Sequence, residues 1–359
     1  MLKETPGGKV AVLAAFFLGT LLAAHAVHAQ VNPLLLQGVR PAGMGGAFIT
    51  LSNDENALFY NPAGLNDVNG FGGVEIINPL VDINENGQHL LSDVRNLNGN
   101  PAEVAGYLDQ HIGQYEHIQA ALFPNLVVHN FAAGFLVNGL VDLDVRNRVT
   151  STVNANIHLD TGLLVGAATD FFNKGLQIGV TGKAIRRDGI DREYTLTDIE
   201  SGQFDPYHQR THHNSLAFDL GAKVNLPILL HPTFAVVGQN LGNLNFQEAG
   251  YIGQQVNVGA AINPVFWILK TTLAAEVDDV ARQQPNQTDF YTRLHIGAEV
   301  RFPKILSVRA GLNQGYPAAG ATLDFRYFKV LYAAYAEELG AYAGQRKDRR
   351  QEVQVSLGF

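Results

Sequence analysis

The chain ends on Gln351-Glu352-Val353-Gln354-Val355-Ser356-Leu357-Gly358-Phe359, and these last residues decide how the rest is read. Val353, Val355, Leu357 and Phe359 fall on one side of an extended strand, and Gln354, Ser356 and Gly358 fall on the other. The same period of two recurs upstream. Leu294, Ile296, Ala298 and Val300 oppose Arg293, His295, Gly297, Glu299 and Arg301. Val256, Val258, Ala260 and Ile262 oppose Gln255, Asn257, Gly259 and Ala261. Leu216, Phe218, Leu220, Ala222 and Val224 oppose Ala217, Asp219, Gly221, Lys223 and Asn225, and Ala321, Leu323, Phe325 and Tyr327 oppose Gly320, Thr322, Asp324 and Arg326. Each segment therefore has one oily face and one hydrophilic face. A soluble sandwich alternates too, so the connections must discriminate.

Strands are expected near 71–79, 119–128, 131–145, 156–170, 175–188, 213–225, 232–240, 253–262, 268–278, 290–301, 305–313, 319–327, 329–340 and 349–359, about fourteen in all. Short turns at His129-Asn130, Phe172–Lys174, Leu226–His231, Asn263–Trp267, Phe302–Lys304 and Phe328 alternate with longer polar loops around 80–118, 146–155, 189–212, 241–252, 279–289, 314–318 and 341–348. An even strand number, with short turns at one end and long loops at the other, is the pattern of an outer-membrane barrel whose turns are periplasmic. Aromatic residues gather at both ends: Phe131, Phe171, Phe172, Phe266, Trp267, Phe302, Phe328 and Phe359 by the short turns, and Phe290, Tyr291, Tyr316 and Tyr342 by the long loops. Such girdles belong at the two membrane interfaces.

Composition fits this reading. The 359 residues carry a formal charge of −8, no cysteine, 37 Gly, 20 Phe and only 16% charged residues, with mean hydropathy near zero. Nothing is basic enough to suggest nucleic acid, and the lack of Cys excludes disulfides, thiolate zinc sites and cysteine nucleophiles. A hydropathy near zero is what alternating lipid-facing and lumen-facing residues average to. Lys3 and Lys9, the apolar run Val10–Ala24 and the small residues of Val27-His28-Ala29 read as a secretory signal over residues 1–29, with Ala24-His25-Ala26 as another cut. No later run reaches the ~18 apolar residues of a spanning helix, so insertion must be through strands. The expected fold is all-β: a transmembrane antiparallel barrel over 69–359 in the outer membrane of a Gram-negative cell, with both termini periplasmic.

Residues 30–68 do not alternate. Gly38, Gly43, Gly45 and Gly46 surround Arg40, Pro41 and Met44. A short helix is expected next, with Ser52 or Asn53 as its cap and Asp54 and Glu55 in its first turn. It stops at Tyr60-Asn61-Pro62-Ala63-Gly64-Leu65, because Pro62 moves Asn61 out of the α region. A glycine-rich segment with one short helix cannot bury a core alone. It suits a plug inside the barrel lumen; the plainer alternative is a periplasmic linker.

The stretch from Gly43 to Leu65, with Asn61, Pro62, Ala63 and Gly64 at its centre, resembles the N-terminal hatch of the FadL-type superfamily of long-chain fatty acid and aromatic hydrocarbon transporters. The resemblance implies fourteen strands, a plugged lumen, and passive uptake of a hydrophobic or amphipathic ligand. The end of the chain from Tyr335-Ala336-Glu337-Glu338-Leu339-Gly340 to Phe359 resembles a looser branch, TraF-like plasmid-transfer proteins and PorV-like secretion accessories. That branch implies a non-transporting scaffold instead. The terminal Phe359 is similar to the ending recognised by the barrel assembly machinery.

Lys183, Asp219, Lys223, Glu276, Asp278, Arg293, His295, Glu299, Arg301, Arg309, Asp324 and Arg326 are expected to face the lumen, as a polar conduit or as a cross-lumen ion-pair network. Neither sign dominates, which argues against an ion-selective porin. In the first long loop, Asn100, Pro101 and Glu103 mark a helix start. Val104, Tyr107, Leu108, Ile112 and Tyr115 then form an apolar stripe. The stripe is either an acyl-chain landing groove or packing against neighbouring loops. Gly134 and Gly139 lie in the third strand, where the fatty acid transporters kink for lateral release. His213-Asn214-Ser215 brings a base and a hydroxyl onto one strand face, as in the outer-membrane phospholipase, but the face is that of the lumen, and no enzyme is expected. His208, His212 and His213 lie in a polar stretch without a carboxylate at ligand spacing, so neither a metal nor another cofactor is expected. Arg346, Lys347, Arg349 and Arg350 lie at the last outer loop, where lipopolysaccharide phosphates would be met; solvation or local pairing is the alternative.

Overall fold

The computed structural model describes residues 34–93, 101–147, 151–201, 203, 208–266, 268–284, 289–303 and 305–359. The signal segment, Asn100 and Trp267 lie outside them, as do the side chains of Val104, Leu108 and Phe266. The described strands form one closed antiparallel barrel of 14 strands. In chain order they are β1 in two pieces (Phe71–Ile77, Leu80–Asn84), β2 in two pieces (Tyr115–Leu122, Asn125–Val128), β3 (Phe131–Asn147), β4 (Ser151–Phe171), β5 (Leu176–Thr195), β6 (Thr211–Asn225) and β7 (Thr233–Leu241). There follow β8 (Gln255–Ile262, with Val265–Phe266), β9 (Leu269–Val277), β10 (Leu294–Arg301), β11 (Leu306–Asn313), β12 (Tyr316–Asp324), β13 (Phe328–Glu338) and β14 (Lys347–Gly358). The ladder joins where β14 pairs with β13 on one side and β1 on the other, with Gly358 opposite Glu75 and Gln354 opposite Leu80. Closure matters because a bilayer core offers no partner for an unpaired strand edge.

The faces follow the alternation. Phe135, Leu163, Leu216, Phe218, Phe234, Leu273, Ile296, Leu312 and Val353 are exposed on the outside. Asp219, Lys223, Gln255, Asn257, Glu276, Glu299, Glu352 and Ser356 are buried within. No helix among the described residues is long and apolar enough to cross a membrane.

Three expectations need correction. First, β4 and β5 begin or end well beyond their expected limits, at Ser151 and Thr195, so much of the loops placed at 146–155 and 189–212 is strand. Second, the β11–β12 connection is a two-residue turn, Gln314-Gly315, with positive φ at both positions and Asn313 opposite Tyr316. It is a tight hairpin, not a long loop. Third, the β12–β13 turn is Phe325-Arg326-Tyr327 instead of Phe328. Arg326 has a φ of 76° there and its side chain is exposed over the Tyr327 ring, so it leaves the set of lumen charges.

Helices cover the outside of the protruding wall. α1 (Val39–Gly43) belongs to the segment before the barrel; α2 (Glu85–Asp93), α3 (Pro101–Gln110) and α4 (Leu196–Glu200) lie in the long loops. Beyond Leu159 the outward residues Leu143, Val145, Val153, Ala155, Ile190 and Tyr194 are buried, although their strand-mates lower down are exposed. Leu90 of α2 and Ile199 of α4 complete this second apolar cluster, and Tyr107 and Ile112 pack against it.

Candidate functional site

Leu34–Val68 threads the lumen, and the contacts that hold it there define the site. α1 lies against β12 and β13. A 3-10 turn follows at Glu55–Leu58, capped by Asp54, whose carboxylate accepts from Asn56 N at 3.0 Å. The cap is thus Asp54, one or two residues later than Ser52 or Asn53, because its side chain reaches the free N–H two positions on. Asn61 does not simply end this turn. It caps a second one, Pro62–Asp67, accepting from Ala63 N at 3.0 Å while its amide donates to Ile49 O at 2.9 Å. Proline suits the first position of such a turn, where its missing N–H would have no partner anyway. Asn61, Pro62, Ala63 and Gly64 are all buried, and a side-chain carbon on Gly64 would lie 1.9 Å from Ser52 O.

The wall receives this segment through glycine. A carbon added to Gly166 would lie 2.6 Å from Leu58, to Gly179 2.5 Å from Pro62, to Gly221 1.9 Å from Asn61, to Gly297 2.3 Å from Met44, to Gly311 2.6 Å from Met44, and to Gly320 3.0 Å from Gly43. Gly179 is paired with Gly221 and Gly297 with Gly311, so these positions share a height on the barrel. Buried Ala235, Ala274 and Ala333 continue the band on β7, β9 and β13, opposite Gly259, Gly297 and Gly320. The result is a girdle of minimal side chains, where backbone meets backbone.

Charged wall residues then fasten the plug. Glu299 on β10 accepts from Arg40 through both oxygens at 2.9 Å, and also from Arg309 at 2.7 Å and Arg301 at 2.5 Å. Arg40 additionally reaches Asp54 at 2.5 Å and lies over the Phe48 ring at 4.9 Å. Burial alone would lower the Arg40 pKa, but Glu299 and Asp54 more than offset it, so the guanidinium stays charged. Glu276 on β9 takes the backbone N–H groups of Phe48 and Ile49 at 2.7 and 3.0 Å. His295 meets Gly45 O at 2.9 Å, and Gln239 donates to Phe59 O and Tyr60 O at 3.1 and 2.8 Å. At the far end Asp67 pairs with Lys223 and accepts from Gln177 at 2.7 Å. Burial would raise the Asp67 pKa, yet Lys223 holds it below the usual carboxylate range.

Of the expected lumen charges, Lys223, Glu276, Glu299 and Arg309 therefore contact or surround the plug. Asp219 is satisfied by Lys183 at 2.7 Å. Arg293 instead anchors the long-loop side, donating to Asp279 O at 2.9 Å, and Asp324 is half-buried near the short turns, accepting from Arg326 N at 2.9 Å. Higher in the lumen His117 bridges Asp142 at 2.6 Å and Asp82 at 3.3 Å, Arg187 grips Asp160 at 2.6 and 2.8 Å, and Arg350 meets Asp348 at 2.7 Å.

The described members of the apolar stripe divide between the two faces of the wall, with Tyr115 turned inward beneath Arg350 at 5.9 Å. Tyr107 and Ile112 pack on the outward face of β3–β5, and Tyr107 OH donates to Glu116 at 2.9 Å. Of the two readings offered by sequence, packing is the one observed for these residues. Gly134 leaves a gap that the Phe123 ring fills, with an added carbon only 2.3 Å from it, and Phe123 rests on Phe59 of the plug at 4.9 Å. Beside it β1 carries an extra residue between Glu75 and Leu80, which face Asn125 and Ala121. Pro79 and Pro124 withhold donors there, and the Asn78 side chain bridges the break to Phe123 O at 2.6 Å and Phe123 N at 2.8 Å. Ser215 Oγ accepts from Asn245 N at 3.0 Å and so is tied to a loop. His212 is exposed beside Asp188 whereas His213 lies on the opposite, inward face of β6, so those two cannot converge on one metal.

Two cavities open on the short-turn side of the plug. One, of about 460 Å³, is lined by Leu51, Asp67, Phe172, Lys174, Lys223, Leu226 and Arg301 among others. The other, of about 290 Å³, lies among Arg40, Asp54, Glu55, Glu75, Asp324 and Lys329.

No protein-family model and no curated protein matches the sequence. Solved structures do match. The TodX deltaS2S3 mutant monoaromatic hydrocarbon channel is 10% identical, with 89% of this chain and 97% of that one covered and a TM-score of 0.50. The P. putida toluene transporter TodX is 10% identical, covering 89% and 96% with a TM-score of 0.43, and the outer membrane phospholipase A of Escherichia coli is 11% identical, covering 88% and 97% with a TM-score of 0.30. The likeness to the first is one of fold: this chain has the architecture of an outer-membrane barrel. TodX is a FadL-family channel, the family whose hatch the stretch around Asn61-Pro62-Ala63-Gly64 resembles.

Proposed function

We propose that the protein is an outer-membrane channel, closed by its own N-terminal segment, that passes small hydrophobic or amphipathic molecules without an energy source. The observation that carries this reading is the manner in which the plug is held. It meets the wall at a girdle of glycine and alanine and through apolar contacts such as Phe59 on Phe123. Its fastenings are ion pairs and hydrogen bonds from Glu299, Glu276, His295 and Gln239, each of which water can replace. Chambers already lie on the far side of the plug, so a modest shift around Asn61–Gly64 would connect them to the lumen. Long-chain fatty acids are the ligand class that the hatch resemblance suggests, with entry from the long-loop side and both termini in the periplasm.

A second reading, a non-transporting scaffold for a secretion or conjugation apparatus, is favoured by the charged upper lumen around Asp82, His117, Asp142, Asp160, Arg187 and Arg350. Binding of a fluorescently labelled fatty acid to the purified protein in detergent separates the two. The channel reading expects saturable binding, with faster ligand exchange in Asn61→Ala, which loses both the cap on Ala63 and the tie to Ile49. An absence of saturable binding would remove it and leave the scaffold.

A further inference from the structure

The 460 Å³ chamber on the short-turn side of the plug has an asymmetric charge and an oily rim. Its lining carries Lys174, Lys223 and Arg301 against a single carboxylate, Asp67. Asp67 is occupied by Lys223 and Gln177, and Arg301 by Glu299. That leaves Lys174 as the cation without a carboxylate in ion-pair distance among the described residues; the hydrogen bonds described for it belong to its backbone, whose N–H donates to Asp170 at 3.2 Å and whose C=O accepts from the Asn225 amide at 3.1 Å. The turn that carries it is unusual. Phe172, Asn173 and Lys174 all have left-handed backbones, with φ of 55°, 54° and 65°, a conformation that non-glycine residues seldom adopt even singly. Strained backbone of this kind is commonly kept where it aims a functional group. Here the turn contributes the Lys174 side chain to the chamber while leaving Phe172 exposed beside it. Leu226 and Pro227 line the same chamber, and the turn they start continues into exposed Ile228 and Leu229.

We infer that this chamber is a binding site for an anion carried on a hydrocarbon chain, with Lys174 receiving the anionic head and Phe172, Leu51 and Leu226 the first carbons of the tail. The site rests on the channel reading and adds to it a charge preference and a place: the ligand is held after it has passed the plug, on the short-turn side. Its volume lies within the roughly 300–1,000 Å³ of small-ligand pockets. The same chemistry is offered by a free carboxylate amphiphile and by the phosphate of a neighbouring membrane lipid, and the probes must tell these apart.

The test uses the full-length barrel in a non-ionic detergent, with equilibrium dialysis of radiolabelled octanoate, 1-octanol, octyltrimethylammonium and dihexanoylphosphatidylglycerol. Octanoate is expected to bind saturably and more tightly than the alcohol or the cation. Lys174→Gln is expected to weaken it about tenfold, as loss of a charge-assisted contact does, and Lys174→Arg to retain it. Preference for the phosphatidylglycerol with the same Lys174 dependence would support the site and assign it to a lipid headgroup. Equal octanoate affinity in wild type and Lys174→Gln would overturn the inference, provided that both variants keep the heat-modifiable electrophoretic mobility of a folded barrel. If long-chain fatty acid binds while octanoate does not, this site falls and the channel reading stands; if neither binds, both fall.

Discussion

Replacing Glu299 by Gln should loosen the plug without opening the barrel wall. Glu299 is fully buried and takes three guanidinium groups, those of Arg40, Arg301 and Arg309. Glutamine keeps the shape and one acceptor but removes the charge that all three share. Arg309 retains Thr322 at 2.8 Å, and Arg40 retains Asp54 and Asn53 at 2.5 and 2.8 Å, so neither is stranded entirely. Breaking a buried ion pair costs about 3–5 kcal/mol. The Arg301 side chain is 37% exposed, and solvent screens its share, which brings the expected loss to about 2–3 kcal/mol. Little of that loss falls on the barrel, whose ladder at Glu299 is backbone to backbone, opposite Thr272 and Arg309. It falls on the docking of Arg40. A loss of this size raises the undocked population roughly 30- to 150-fold. The chain has no cysteine, so Ser52→Cys, placed at a fully buried plug position, gives a single reporter thiol. Its maleimide labelling in proteoliposomes should speed up by that factor in Glu299→Gln, with unchanged heat-modifiable mobility. A labelling rate within twofold of the parent would refute the claim that Glu299 fastens the plug.

Glu55 supplies a pH prediction. Burial first, then the nearby charges of Asp54 and Glu75, push its pKa up to about 8, with Lys329 acting the other way. A carboxyl raised on docking favours the docked plug while protonated. Its contribution is whole below the ordinary carboxylate range and is lost as pH rises toward about 8. Labelling of Ser52→Cys, normalised to a free thiol, should therefore increase between pH 5 and 9, and Glu55→Gln should flatten the profile; a flat profile in the parent would show that docking is not linked to this group. Tyr107→Phe removes the hydroxyl that donates to Glu116 at 2.9 Å, a loss of about 1–3 kcal/mol from the outer clasp. Trypsin should then cut the 85–114 loop faster, while fatty acid binding stays unchanged; weakened binding would place this helix at the ligand path after all.

The strand pattern was legible because lipid on one side and a hydrophilic lumen on the other enforce a strict period of two. Gln354 and Ser356 against Val353 and Leu357 read the same in sequence and in space. The face of Gly221, Gly297 and Gly320 was legible too. Their joint role was not, since a common height depends on the pairing of Gly179 with Gly221 and of Gly297 with Gly311, and register is a long-range property. Val145, Val153 and Tyr194 went unrecognised as a helix-covered cluster because an outward apolar residue looks alike whether it meets lipid or α3 and α4. Arg326 was misplaced because alternation ran on through Phe325 and Tyr327, although the left-handed backbone at Arg326 had already turned the chain. The plug motif showed where backbone turns must occur, but its fastening by Glu276 spans 228 residues of sequence and leaves no local trace.

The second 3-10 turn of the plug ends at Asp67 and the first strand begins at Phe71, so the stopper is joined to the wall that it seals by a very short leash. Release can never be escape. Once its fastenings part, the segment stays at an effective concentration of about millimolar or more around its own seat, and recapture is a unimolecular step. On the channel reading proposed above, such a gate would reclose by itself after each passage, giving brief openings of a largely shut pore without any partner to reset it.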